Sequence, residues 1–277
     1  MGTCEGWLLL TDMDGTLLSP DGSVSKRNQK VITEFVSQGG LFGVATGRMP
    51  SSIGRLVIGL PINCPIIVCN GAGIFDLRTQ QLHAARFLDL ETVRGCIQDV
   101  MASFPDIGVF VIEMNHAAVL TDADWILELE PEERAGYVRK TLDEVGDDVF
   151  KLMFTGFPAR VAELRRFLDG HAVAASVDMV FAARTCLELL SPKVSKGAAL
   201  VTLREELGVA PERVLAIGDY DNDAEMLRAA GISAAPKNAH PDILNLVDMV
   251  VSHHGEDAVA DFLDRVFWNK DEKDGRV

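Results

Sequence analysis

The feature that most limits the fold is a set of short, unbroken apolar runs, each ending in polar residues. "WLLLTD" (7–12), "LFGVAT" (41–46), "CPIIVCNG" (64–71) and "RVLAIGD" (213–219) show no apolar–polar alternation. Strands buried on both faces read this way, as they do when helices cover both sides of a parallel sheet. The segments between them supply the helices. "SKRNQKVITEFVSQGG" (25–40) puts Val31, Ile32, Phe35 and Val36 at helical spacing behind a Ser25 N-cap and stops at Gly39–Gly40. "SKGAALVTLREELG" (195–208), "NDAEMLRAAG" (222–231) and "EDAVADFLDRVF" (256–267) repeat the style, with short strands at "ISAAP" and "DMVVS". Residues 81–187 differ, mixing helix and strand candidates such as "ETVRGCIQDVMASF", "IGVFVIEM" and "VFKLMFTG". The expected organisation is an α/β, Rossmann-like parallel core from 1–80 and 188–277, with an α+β domain inserted at 81–187. A chain of 277 residues is long enough for two such cores.

A net charge of −15 argues against a duplex DNA or anionic membrane partner, and no window reaches the length of a membrane span. "MGTCEGW" lacks a basic region followed by an apolar segment, so no secretory leader is expected, and Gly6 stands where myristoylation wants Ser or Thr. Cys4, Cys64, Cys69, Cys96 and Cys186 are odd in number, scattered and without a CxxC pair. That usage suits reduced thiols and a cytoplasmic location.

In an open α/β sheet, ligands bind beyond the carboxyl ends of the strands. Here those ends carry Asp12 and Asp14; Thr46, Gly47 and Arg48; and Asp219 with Asn222 and Asp223, while a later helix opens on Ser195-Lys196-Gly197. Residues i and i+2 of an extended segment point to one side, so Asp12 and Asp14, joined by Asp219, are expected to crowd negative charge. Such crowding calls for a cation, and an oxygen-only ligand set favours Mg²⁺. Gly15 permits close approach of an anion, Thr46 offers a hydroxyl and Lys196 an ammonium. Lysine in the first turn opposes the helix dipole, so a ligand explains it better than stability does. Asn222 and Asp223 are equally well explained as a helix cap and a first-turn acid.

"DMDGT", "ATG", "SKG" and "GDYDND" in this order resemble the four motifs of the haloacid dehalogenase superfamily. "NGA" (70–72) and "PKNAHPDI" resemble its Cof-type branch. The resemblance spans nearly the whole chain and implies a Mg²⁺-dependent phosphatase acting on a small phosphate monoester. It implies that Asp12 is the nucleophile, forming an aspartyl-phosphate, and Asp14 the general acid and then base. Mg²⁺ would be held by Asp12, the Asp14 backbone carbonyl and Asp219, with Asp223 in support. Thr46, Gly47 and Lys196 would hold the phosphoryl group, and Asn222 would orient that group or Lys196. The long insertion between Thr46 and Lys196 becomes an α+β cap, and "SPDGS" a hairpin flap. Arg48, Asn70 and Gly71 are expected to face the substrate. For Arg48 a second anionic group, a pin for the cap and a plain salt bridge stay open. Lys193 is expected at solvent or the hinge, Asp221 at solvent or against a positive group on the substrate, and His253 and His254 at the surface without a role; Glu113, Asn115 and Arg184 are cap candidates. A phosphotransferase or phosphomutase needs the same residues, and an idle regulatory protein would normally have lost some of them. A sugar phosphate, a nucleotide product and pyridoxal phosphate all remain possible substrates.

Overall fold

A computed structural model describes residues 3–54, 56–114, 116–121 and 136–268. Its main sheet has five parallel strands in the order β14-β13-β12-β1-β2: Met249–Val251, Ile232–Pro236, Val214–Ile217, Leu8–Thr11 and Leu41–Val44. Each is mainly apolar, with Ser233 and the terminal Thr11 as polar members, and alternate residues serve opposite faces. Leu9 packs with Ile32 and Phe35 of α1 (Lys26–Ser37) and Phe262 of α7 (Ala258–Leu263). Leu8 and Leu10 pack with Leu200 and Leu203 of α4 (Lys196–Glu206) and Leu227 of α5 (Ala224–Ala229). Full burial of one such leucine contributes about 2 kcal/mol, which favours apolar residues along these strands. Ser25 caps α1 by accepting from the Asn28 amide at 3.1 Å.

β3 (Ile66–Val68) touches this sheet through one parallel bridge, Ala45 with Ile67. It then turns back through an antiparallel hairpin, β4 (Gly73–Asp76) and β5 (Gln81–Ala85). The insertion forms a second sheet, β10-β11-β9-β6-β7-β8: Asp178–Ala183, Cys186–Leu190, Val149–Thr155, Gly108–Glu113, Ala117–Val119 and Tyr137–Arg139. Sheet pairing therefore runs across positions 81 and 187, since β5 bonds to β4 and β11 extends to Leu190.

One face of the second sheet is covered by α2 (Leu90–Ser103) and α3 (Pro158–Asp169), through Val93, Ile97, Leu164 and Leu168. The other carries Phe110, Ile112 and Leu190, which join the apolar cluster of the core, so this sheet roofs the core. The remaining α-helix among the described residues, α6, is a single turn at Pro241–Leu244. In place of the expected hairpin flap, residues 19–23 make a tight turn with no β-strand on either side: the Ser19 amide donates to Ser23 O at 2.8 Å, with Gly22 at φ +78°. All five cysteines are free. No described helix is long and apolar enough to cross a membrane.

Candidate active site

β1 and β12 are neighbours in parallel register, so their ends deliver Asp12 and Asp219 to one place. The Asp12 amide continues the ladder, donating to Ile217 O at 2.9 Å. The chain then leaves the extended conformation, with Gly15 at φ +78°. A Cβ on Gly15 would sit 2.5 Å from Asp219 Oδ2, so only glycine lets this turn lie against that carboxylate.

That turn changes which acids converge. The i, i+2 rule holds for a strand, but β1 ends at Thr11. Asp14 instead points outward, with its side chain 57% exposed. The crowding expected of Asp12, Asp14 and Asp219 is made by Asp12, Asp219 and Asp223, whose oxygens lie within 4.8 Å of one another. Arg48 grips Asp14 with a fork, Nε to Oδ2 at 2.8 Å and Nη2 to Oδ1 at 2.7 Å.

Lys196, fully buried in the first turn of α4, lies between two of the acids. Its Nζ is 2.6 Å from Asp12 Oδ1 and 2.6 Å from Asp223 Oδ1. Burial works against its charge, yet Asp12 and then Asp223 outweigh burial and raise its pKa. Gly197 has a packing reason: a Cβ there would lie 2.5 Å from the Glu225 backbone. The other oxygen of Asp223 accepts from the amides of Asp219 (2.9 Å) and Tyr220 (3.2 Å). Asp223, rather than Asn222, thus does the capping while it also holds the lysine. Asp219 accepts from Thr16 Oγ1 at 3.0 Å, and Asn238 steadies the turn through Gly15 O at 2.8 Å.

One ammonium cannot balance three crowded carboxylates. Burial first, and Asp223 next, push the Asp219 carboxyl up to about 6. Burial likewise raises Asp12 well above the carboxylate range, although Lys196 pulls it down. Carboxylates so disfavoured as anions, with oxygen donors only, fit a hard divalent cation such as Mg²⁺.

The second strand end contributes Thr46, fully buried, whose Oγ1 accepts from the Arg48 amide at 3.1 Å. Asn70 and Gly71 differ from expectation. Asn70 is only 2% exposed and in the left-handed region at φ +56°. Both ends of its amide are engaged: Nδ2 donates to Glu188, and Oδ1 accepts from Asn222 Nδ2 at 3.0 Å. Gly71, at φ +96°, lies against the Ser195 carbonyl, which a Cβ would approach to 2.1 Å. Asn222 is therefore tied to Asn70, not to Lys196.

Lys193 is exposed, with its amide bound to Asp178 Oδ2 at 2.6 Å. Asp221 and Arg184 are exposed. Glu113 is buried in an ion pair with Lys140 (2.8 Å), and His116 Nε2 lies 2.9 Å from it. Asn115 falls outside the described residues. His254 is half-buried, its Nδ1 2.7 Å from Leu18 O, and His253 is half-buried beside it. The expectations drawn from the sequence passed over Lys151 and Glu188. Their only signal was a lone charge inside each of the apolar strands "VFKLMFT" and "CLELL".

A parallel sheet that gathers three carboxylates and a lysine beyond its strand ends, under an inserted sheet, has the layout of a capped α/β hydrolase. A family model for haloacid dehalogenase-like hydrolases matches residues 9–263, and the chain belongs to that family. It is similar to an HMP-PP phosphatase of Serratia proteamaculans, 31% identical over 268 residues, with 91% of this chain and 92% of that protein covered. It is also similar to a phosphoglycolate phosphatase of Methanopyrus kandleri, 27% identical over 256 residues, covering 92% and 95%. The solved structure of a haloacid dehalogenase-like hydrolase from B. subtilis matches with a TM-score of 0.82 at 25% identity, covering 94% of this chain and 99% of that one.

Proposed function

We propose that the protein is a Mg²⁺-dependent phosphatase of small phosphorylated metabolites that works through an aspartyl-phosphate on Asp12. The observation that carries this reading is the position of Lys196, clamped between Asp12 and Asp223. It holds the attacking carboxylate in one orientation and offers positive charge where phosphate oxygens must come. Asp12, the Asp14 backbone carbonyl and Asp219 would hold the metal, with Asp223 behind them; the ion supplies charge neutralisation between two anions that must meet.

Asp12 forms a bond to phosphorus as the ester P–O bond breaks. Asp14, exposed and outside the metal trio, gives its proton to the departing alkoxide. It then takes a proton from the water that attacks phosphorus, which releases inorganic phosphate and restores the Asp12 carboxylate. The fork from Arg48 orients Asp14 and occupies both of its oxygens, so Arg48 releases one of them for the proton that Asp14 gives to the leaving group. Thr46, Gly47 and Asn222 complete the cradle around the phosphoryl group. The relatives' names, HMP-PP phosphatase and phosphoglycolate phosphatase, support a small phosphorylated substrate and differ on which one. We place the cap between the end of β5 and the end of β11, from about 86 to about 190, because sheet pairing changes partner there.

The test is phosphate release from an aryl phosphate and a panel of phosphorylated metabolites by wild type and Asp12→Asn. The isosteric amide is expected to abolish turnover and leave the fold intact. Near-normal turnover by Asp12→Asn would refute the nucleophile, and a phosphorylated product in place of inorganic phosphate would make the enzyme a phosphotransferase.

A further inference from the structure

A buried ion pair on the underside of the roof bonds to the loops of the floor. Lys151 of β9 and Glu188 of β11 lie on the core-facing side of the second sheet, each side chain 3% exposed, with Nζ 2.5 Å from Oε1. Burying such a pair rarely adds stability, since well-packed apolar residues of the same volume usually serve as well or better. The strands around it are apolar, so packing alone would favour such a replacement.

Each side chain also makes a hydrogen bond to a catalytic loop. Lys151 Nζ donates to Gly47 O at 2.7 Å, next to Thr46. Glu188 Oε2 accepts from Asn70 Nδ2. Asn70 in turn joins the loops to each other. Its backbone amide donates to Thr46 O at 3.0 Å, its Oδ1 accepts from Asn222, and the preceding Cys69 amide donates to Arg48 O at 3.0 Å. The carboxylate also fixes which way the Asn70 amide faces, because only the NH₂ end can donate to it. From there the chain of contacts runs through Asn222 to the adjoining Asp223, which holds Lys196 at 2.6 Å.

We propose that Lys151 and Glu188 are a positioning pair. When the roof is seated, they set the Thr46–Arg48 and Cys69–Gly71 loops, and through Asn70 the Asn222 side chain, in the arrangement that grips the transferring phosphoryl group. The pair touches no reacting atom and acts through Gly47 and Asn70. This inference rests on the phosphatase reading above. It makes the seated roof a condition for a complete phosphate cradle, in addition to any part it plays in choosing the substrate.

The experiment compares wild type, Glu188→Gln and the double variant Lys151→Met/Glu188→Leu by three readouts: kcat and KM on an aryl phosphate, the unfolding midpoint in urea, and backbone amide hydrogen exchange. In the double variant the midpoint should hold or rise, because an apolar pair replaces an ionic one. Its kcat should fall about 100-fold, as expected for loss of alignment, with KM changed far less. Glu188→Gln retains an acceptor for Asn70 and should recover part of the loss. The amides of Arg48, Cys69 and Asn70 should exchange about tenfold faster in the double variant, while those of β12 do not change. Unaltered kcat, or a kcat loss matched by a lower midpoint and uniform exchange, overturns the proposal. If wild type releases no phosphate from any substrate, the phosphatase reading fails instead. Exchange at those three amides then decides the pair alone, and unchanged rates sink it.

Discussion

Replacing Lys196 with methionine should destabilise the protein in a pH-dependent way. The side chain is fully buried, and its ammonium is 2.6 Å from both Asp12 and Asp223. Methionine fills much the same volume, so packing changes little. The change leaves three neighbouring carboxylates with no cation, and removing one partner of a buried ion pair costs about 3–5 kcal/mol. At pH 7 without added metal, urea unfolding followed by circular dichroism should show a loss of that size.

The deficit should shrink toward pH 5. Asp12 is already raised by burial from an ordinary value of 3.8, and Lys196 is the strongest influence pulling it back. Without that lysine the folded state takes up a proton at a pH where the unfolded chain has none. Stability of the variant therefore rises as pH falls through that window. A loss below about 1 kcal/mol at pH 7, or one that grows toward pH 5, would mean that the lysine does not hold these acids together.

Metal affinity should track Asp219, whose carboxyl lies at about 6. In the metal-free protein the native state binds this proton more tightly than the unfolded chain, so stability should fall as pH rises from 3.8 toward about 6. Mg²⁺ must displace that proton, so calorimetric affinity should drop about tenfold per pH unit below that point, and EDTA should remove activity; pH-independent affinity would contradict the ligand assignment. Gly71→Ala should lose about 3 kcal/mol in urea unfolding, because it combines a strained φ with overpacking; its Cβ would meet Ser195 O at 2.1 Å, and a silent change would show that this corner yields. Arg48→Lys keeps the charge but not the fork on Asp14, and should lower kcat/KM on an aryl phosphate by about tenfold; wild-type kinetics would leave the fork without a catalytic role.

The sequence made the acids and the lysine readable because each sits at the end of an apolar run or the start of a helix. Register then brings them together: β1 beside β12 delivers Asp12 and Asp219 without any further information. The direction of Asp14 was not readable, because strand geometry stops at Thr11 and a glycine at φ +78° turns the chain just beyond it. Asn70 looked like a residue facing the ligand because it comes straight after a strand end. Its amide is instead consumed by Glu188, 118 positions away. Lys151 and Glu188 themselves look like surface charges until the second sheet is laid on the core. Local pattern carries periodicity and caps, and it does not carry the docking of one sheet over another.

The position of β1 also bears on how the protein is made. It lies between β2 and β12, and 203 positions separate Thr16 from its partner Asp219. On the ribosome, β1 and β2 emerge long before β12. The flank of β1 that pairs with β12 then waits, with open backbone groups and apolar side chains, until the last third of the chain arrives. Such a half-built sheet folds slowly and invites association with other chains. Nascent chains arrested before β12 should therefore depend on holdase chaperones, and chains released after β14 should not.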